Sequence, residues 1–237
     1  MDETTTHDSE ERPAAAERVF GERLALAEGY VEILSDQGVL RGLIGPGEPS
    51  RLWSRHVLNS AVLGEAIEQG QRVVDIGSGA GFPGIPLAIA RPDLEVVLVE
   101  PLLRRTTFLD EVVDGLSLTN VSVVRGRAEE KSIIEQAGGA DVVTSRAVAP
   151  LDRLARWSAP LIRVGGRLVA LKGRSAPDEI VEHRASVART GLTDLNVREI
   201  GAGLVDPPSI LVIGTRVETD ADRRAEVRNR RRQKRKS

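Results

Sequence analysis

Residues 73–84 read Val-Val-Asp-Ile-Gly-Ser-Gly-Ala-Gly-Phe-Pro-Gly, an apolar, β-branched run that ends in glycines at alternate positions 77, 79 and 81. The pattern predicts a strand, a tight loop and a helix entered through Pro83. Glycine tolerates positive φ and, without a Cβ, lets a ligand lie against the backbone, while the helix start offers unpaired N–H groups. From Arg72 onward the strand-then-helix rhythm repeats. Strands are predicted near 72–76, 95–99, 121–125, 140–145, 166–172, 194–200 and 209–216, and helices near 84–91, 101–117, 150–163 and 177–190. Repeated βα units build a mainly parallel sheet with helices on both faces, here a seven-stranded, Rossmann-like α/β fold. Only residues 201–208 separate the last two strands, too few for a crossover helix. They are predicted to pair as a hairpin, which places one antiparallel strand near the C-terminus.

Two helices are predicted before the sheet. Residues 14–37 carry Val19, Phe20, Leu24, Ala27, Tyr30, Val31 and Leu34 at helical spacing, and 50–68 carry Leu52, Trp53, Val57 and Leu63, with Ser50 placed to cap. The stretch 38–49 between them is glycine-rich. The chain thus divides into an acidic, disordered leader at 1–13, a helical cap at 14–70, a sheet domain at 71–217 and a basic, disordered tail at 218–237.

The formal net charge of −2 hides a strong polarity: residues 1–17 carry −5 and residues 222–236 carry +7. Nine cations on the tail, within 223–236, predict salt-sensitive attraction to the phosphates of a nucleic acid. The absence of cysteine excludes disulfides, thiolate-held metals and a thiol nucleophile, and three scattered histidines, His7, His56 and His183, make no metal site. No apolar run approaches a membrane span and the acidic N-terminus is no signal peptide, so a cytoplasmic protein with no membrane partner is expected.

The glycine loop is open to two cofactor readings. A dinucleotide fingerprint needs glycine at its sixth position, where Phe82 stands, and no Gly-Lys-Ser/Thr follows to make a phosphate loop. Gly77, Gly79 and Gly81 instead resemble the first motif of class I S-adenosylmethionine-dependent methyltransferases, with a ligand-free glycine turn as the bland alternative. Glu100, at the end of the second strand, is placed to accept hydrogen bonds from two ribose hydroxyls. After the third strand, the run Arg125-Gly126-Arg127-Ala128-Glu129-Glu130 would pass beside an adenine. The fourth strand ends in Thr144-Ser145-Arg146, where an acceptor should sit. The Asn/Asp-Pro-Pro-aromatic motif of amino-directed nucleic-acid methyltransferases is missing there, and Arg146 suggests a phosphate, a purine edge or a cofactor carboxylate.

Taken together, Arg55-His56-Val57-Leu58-Asn59-Ser60, Asp75 to Pro86, Arg127 to Glu130, Ser145-Arg146-Ala147 and Leu171-Lys172-Gly173 resemble the ribosomal small-subunit guanine-N7 methyltransferase G family, also called glucose-inhibited division protein B. The resemblance implies S-adenosylmethionine as cofactor and, as acceptor, N7 of a guanine near the decoding centre of 16S rRNA, presented by the RNA or by the small ribosomal subunit. It places Gly77, Phe82, Ala128, Glu129 and Arg146 on cofactor-binding positions, and His56, Arg127, Arg146 and Lys172 around the acceptor. Two departures stand out: Gly42-Leu43-Ile44-Gly45 where the family commonly has Asn-Leu-Thr, and Asn59 where it commonly has Asp. Guanine N7 carries a lone pair and no proton, so methyl transfer in line needs positioning groups and no general base. A monomer is expected. The rival readings are a small-molecule methyltransferase and a non-catalytic RNA- or nucleotide-binding protein on the same fold.

Overall fold

The computed structural model describes residues 10–146, 148–220 and 222–224 of the 237. The first nine residues of the leader and the tail from 225 on lie outside the described residues. Seven strands, β1 (Arg72–Ile76), β2 (Glu95–Glu100), β3 (Val121–Arg125), β4 (Ala140–Arg146), β5 (Ile162–Lys172), β6 (Leu192–Ile200) and β7 (Ser209–Arg216), form one sheet in the order β3-β2-β1-β4-β5-β7-β6. β1 pairs in parallel with β2 on one side and β4 on the other, so the order reverses between them and opens a crevice beyond their carboxyl ends. β7 is antiparallel to both β5 and β6. It lies between them, because a hairpin returning from edge strand β6 fills the next place inward.

Alternate residues of the central strands feed two apolar layers, as the two-residue period of a strand requires. Val73, Val96 and Leu98 face one core, with the N-terminal helices, α4 (Gly84–Ala90) and α5 (Leu103–Gly115). Val74, Ile76, Val97 and Val99 face the other, with α6 (Lys131–Ala137), α7 (Leu151–Ser158) and α8 (Ala176–Ala188). Helix α6 was not among the expected helices; it is two turns long and begins without a side-chain cap, which leaves little local signal.

The N-terminal segment departs from two smooth helices. The first is α1 (Ala15–Phe20), a 3₁₀ turn at Gly21–Arg23 and α2 (Leu24–Ile33), closed by a π-helical turn, Leu34–Gly38. Gly21, at φ +50°, bends the chain there. The second is a 3₁₀ turn at Pro49–Arg51, a π-helical turn at Leu52–Val57, a single turn α3 (Leu58–Ala61) and a 3₁₀ end, Val62–Ala66. Ser50 does not cap it: the hydroxyl donates back to the Gly47 carbonyl at 3.3 Å. Among the described residues no helix is long and apolar enough to cross a membrane.

Candidate functional site at the reversal of strand order

β1 delivers the chain to the glycine loop, whose three alternate glycines have φ of +70°, +61° and +109° at 77, 79 and 81. Each meets a different need. A Cβ on Gly77 would press on Val148 at 3.1 Å, and one on Gly81 would come within 2.7 Å of Ile85 Cγ1 and 2.8 Å of the Tyr30 hydroxyl. A Cβ on Gly79 would meet nothing nearer than the Gly77 carbonyl at 3.8 Å, so there the backbone presents an open surface. Tyr30 holds the loop from above, donating to the Ala80 carbonyl at 2.8 Å.

Beneath the loop lies Asp75, fully buried, with Oδ2 accepting the Gly84 N–H at 3.1 Å. Burial pushes its carboxyl up to about 7, against the pull of Ser78 and the Gly84 amide and with the Glu100 charge adding to the rise. Glu100 stands at the tip of β2, but its carboxylate has a prior occupation. Oε2 accepts the Gly79 N–H and Oε1 the Leu102 N–H, both at 3.0 Å, and the group is 1% exposed. It therefore fixes the loop, and a ribose would share a carboxylate already bonded to two backbone amides. Beside it, at the tip of β3, Ala128 is buried while Arg127 and Glu129 are exposed.

The tip of β4 brings together Phe82, His56 and Arg146. The His56 imidazole stacks on the Phe82 ring at 4.9 Å between centroids and 23° between planes, the Arg146 guanidinium lies 5.6 Å from the same centroid, and Tyr30 meets that ring edge-on at 5.8 Å. Arg146 Nη2 donates to the Arg55 carbonyl at 2.9 Å, leaving Nη1 buried without a protein partner. His56 Nε2 hydrogen-bonds Glu48 Oε2, leaving Nδ1 buried and unpaired as well. Burial, reinforced by the Arg146 charge, lowers the His56 pKa despite the Glu48 hydrogen bond. Burial and the Arg55 charge lower that of Arg146. Asn59 is no partner for His56: its amide donates to the Ser54 and Arg55 carbonyls, and Oδ1 accepts from Ser209 at 2.7 Å.

Lys172, at the tip of β5, is tied back. Its ammonium donates to the Ala149 carbonyl at 2.9 Å and pairs with Glu179 at 2.6 Å, and Glu179 also accepts the Leu151 N–H. This lysine and Arg146 line a cleft of about 1360 Å³ that runs toward Arg174, Pro207 and Pro208. Arg127 is apart from them. Between β3 and β4 lie β2 and β1, so three strand spacings, roughly 14 Å, separate its tip from that of Arg146. Glu48 and Glu179 were not singled out in the sequence, and Tyr30 was read there only as part of a helix's apolar face. The signals available were a lone tyrosine on the apolar face of a helix and a glutamate closing a glycine-rich stretch.

The family model described as rRNA small subunit methyltransferase G matches residues 23–206. Proteins named Ribosomal RNA small subunit methyltransferase G are similar over nearly the whole chain. That of Rhodococcus jostii is 58% identical over 89% of this chain and 92% of its own length, and that of Mycolicibacterium gilvum 56% identical over 85% and 88%. Among solved structures, fibrillarin from Aeropyrum pernix with natively bound S-adenosyl-L-methionine superimposes with a TM-score of 0.51 at 21% identity, over 68% of this chain and 75% of that one. A predicted O-methyltransferase from Agrobacterium tumefaciens gives 0.53 at 18%, over 69% and 84%. These two likenesses concern the fold.

Proposed function

This chain belongs to the rRNA small subunit methyltransferase G family, and we propose that within it the chain methylates N7 of a guanine in 16S rRNA. Action on ribosomal RNA as an S-adenosylmethionine-dependent methyltransferase comes with the family. The residues at the crevice fit that cofactor: Gly79 leaves bare backbone for a ligand to lie on. Bound there, the cofactor supplies an electrophilic methyl group on a sulfonium. Gly77, Gly79, Gly81 and Phe82 would hold its amino-acid end, Glu100 its ribose, and Ala128 and Glu129 its adenine.

The observation that carries the N7 reading is the tip of β4. A half-buried arginine packed on Phe82, its Nη1 buried and unpaired, stands where amino-directed enzymes place a motif that handles an exocyclic amine. A guanine N7 needs no proton removed, so His56, Arg146 and Lys172 have only to orient the base and its phosphates. Orientation of this kind contributes up to about 7–11 kcal/mol to a barrier in well-aligned systems. Arg127, remote from the β4 tip, is assigned to RNA contact at the cofactor side of the crevice. We place the reaction in the cytoplasm, on the RNA or the small ribosomal subunit, and carried out by a monomer whose residues 14–70 cap the sheet domain.

The test is transfer of label from S-adenosylmethionine to 16S rRNA, intact small subunits or a metabolite pool. Label recovered as 7-methylguanine in 16S rRNA is the expected result. Label in small molecules, or binding without transfer, would overturn it. Arg146→Ala is expected to lower transfer by about 100-fold or more, as misplacement at a reacting centre does, with the thermal melt retained. Wild-type turnover by that variant would remove Arg146 from the site.

A further inference from the structure

We propose that His56 and Arg146 read the acceptor guanine as a pair, His56 Nδ1 accepting from N1–H and Arg146 Nη1 donating to O6, and that Glu48 sets this reading by holding His56 as its Nε2–H tautomer. The inference rests on the guanine-N7 assignment above and goes beyond it in naming how the base is told from others.

The His56 ring and the Arg146 guanidinium pack on one phenyl ring, and each leaves a buried polar atom without a partner, the two of opposite kind. Arg146 Nη1 can only donate. His56 Nδ1 can accept, because the ring's proton is claimed at the other nitrogen by Glu48, whose carboxylate is an acceptor only. Glu48 is kept ionised: burial works against the charge, but hydrogen bonds from His56 and Arg51 outweigh it and hold the pKa below the usual range. Burial and the nearby Arg146 and Arg55 charges lower the His56 pKa despite the Glu48 hydrogen bond, and this lowering favours the singly protonated ring. The carboxylate is fixed by Arg51 at 2.7 Å and by Arg55 at 3.7 Å, so the tautomer is set by an anchored group. Glu48 touches no reacting atom and acts through His56 as a positioning residue.

An acceptor next to a donor complements the O6 and N1–H of guanine, which adjoin on one edge of the ring. Adenine presents the reverse, an amino donor beside an N1 acceptor, and would set donor against donor and acceptor against acceptor. A site whose buried polar groups are left unpaired rejects a ligand strongly. Reading this edge also leaves the N7 lone pair free, which the bidentate arginine grip on O6 and N7 common in duplex readout would not. N1–H is a Watson–Crick donor, so the acceptor base must be unpaired when it is held. Neither orphaned atom is open to solvent, so the base reaches them only as the side chains around the Phe82 ring rearrange, with Glu48 kept on His56.

The test is a set of single-site RNA substrates in which the target guanine is replaced by inosine, which keeps O6 and N1–H, or by 2-aminopurine, which keeps N7 but loses both. With the wild-type chain, kcat/KM for inosine should stay within about 3-fold of guanine and that for 2-aminopurine should fall about 100-fold or more. His56→Ala should narrow the guanine-to-2-aminopurine ratio by about 10-fold or more, Glu48→Ala should narrow it likewise, and Glu48→Gln, which still accepts from Nε2–H, should restore it. A merely structural role lowers all three substrates together, and an unchanged ratio in His56→Ala overturns the pairing. If that variant does not fold, His56→Asn, whose amide oxygen can accept from N1–H, carries the same comparison: a ratio held in His56→Asn and lost in His56→Leu supports the pairing, and equal ratios overturn it. No transfer to guanine by the wild-type chain would instead overturn the N7 assignment itself.

Discussion

Asp75 is a carboxyl group with no exposure, one oxygen on the Gly84 amide and the other without a partner. With a folded pKa near 7 and an unfolded one near 3.8, the native chain binds more protons than the unfolded chain throughout that window. Stability contributed through this group is therefore full below about 4 and is lost as pH rises toward 7, with a slope of at most about 1.4 kcal/mol per pH unit. Asp75→Asn should flatten that part of the profile. Urea unfolding of both chains at intervals between pH 4.5 and 7.5 measures the difference, and parallel profiles would show that Asp75 is charged or neutral in both states alike. The same residue marks how far single positions can be read in a sequence. Asp75 was read only within the strand that leads to the loop, while Phe82 and Arg146 stood out because they occupy fixed places on strand–loop–helix units, where position along the chain already fixes position in space. Glu48 and Tyr30 did not, because what they do depends on partners brought up by folding: Tyr30 on Ala80, fifty residues away, and Glu48 on a histidine turned toward it by a π-helical turn.

At the scale of elements, the unit β1–loop–α4 shows glycines of unlike purpose in one short run. Helix α4 starts so close to the sheet that a Cβ on Gly84 would lie 2.2 Å from Leu98 Cδ2 and 2.9 Å from Asp75 Oδ2. Gly84→Ala is therefore overpacking, expected to cost about 1–3 kcal/mol, or roughly 2–12 °C in melting temperature for a chain of this size. Gly79→Ala has room, and its cost to the fold is limited to the left-handed backbone, about 1–2 kcal/mol. Its methyl group would stand on the open surface proposed to take the cofactor, so S-adenosylmethionine affinity should fall by about 10-fold or more, about 1.4 kcal/mol. Calorimetric titration beside thermal melts separates the two effects, and unaltered affinity in Gly79→Ala would remove residue 79 from the cofactor surface. The alternating strand and helix periods made this unit and the seven strands legible in the sequence. The N-terminal helices were legible as apolar faces but not as shapes. Their 3₁₀ and π-helical turns come from packing over α4 and the glycine loop, a tertiary demand that helical spacing does not encode.

For the molecule as a whole, the charge that should attract RNA is unevenly placed. Residues 18–221, between the acidic N-terminal run and the basic C-terminal run, carry a net −4, so their overall field does not favour a polyphosphate. Seven of the tail's nine cations fall in residues 225–236, outside the described residues. The point at which to cut the tail is set by the fold. Arg216, almost wholly buried, pairs with Asp222 at 2.7 Å, and Asp222 also accepts the Thr219 N–H, which closes the end of β7. Removing Asp222 would leave a buried guanidinium short of its partner and confuse weaker attraction with weaker folding. Removal of 225–237 keeps that closure intact. Each phosphate that the tail no longer neutralises should lessen the slope of log affinity against log salt by about 0.7 on single-stranded RNA. The truncated chain should therefore bind 16S rRNA more weakly below about 100 mM salt, by about 10-fold or more, and converge with the full chain as salt rises. Filter binding across about 50–200 mM salt reads this directly. Equal slopes would assign the attraction to the arginines around the crevice and leave the tail without a part in it.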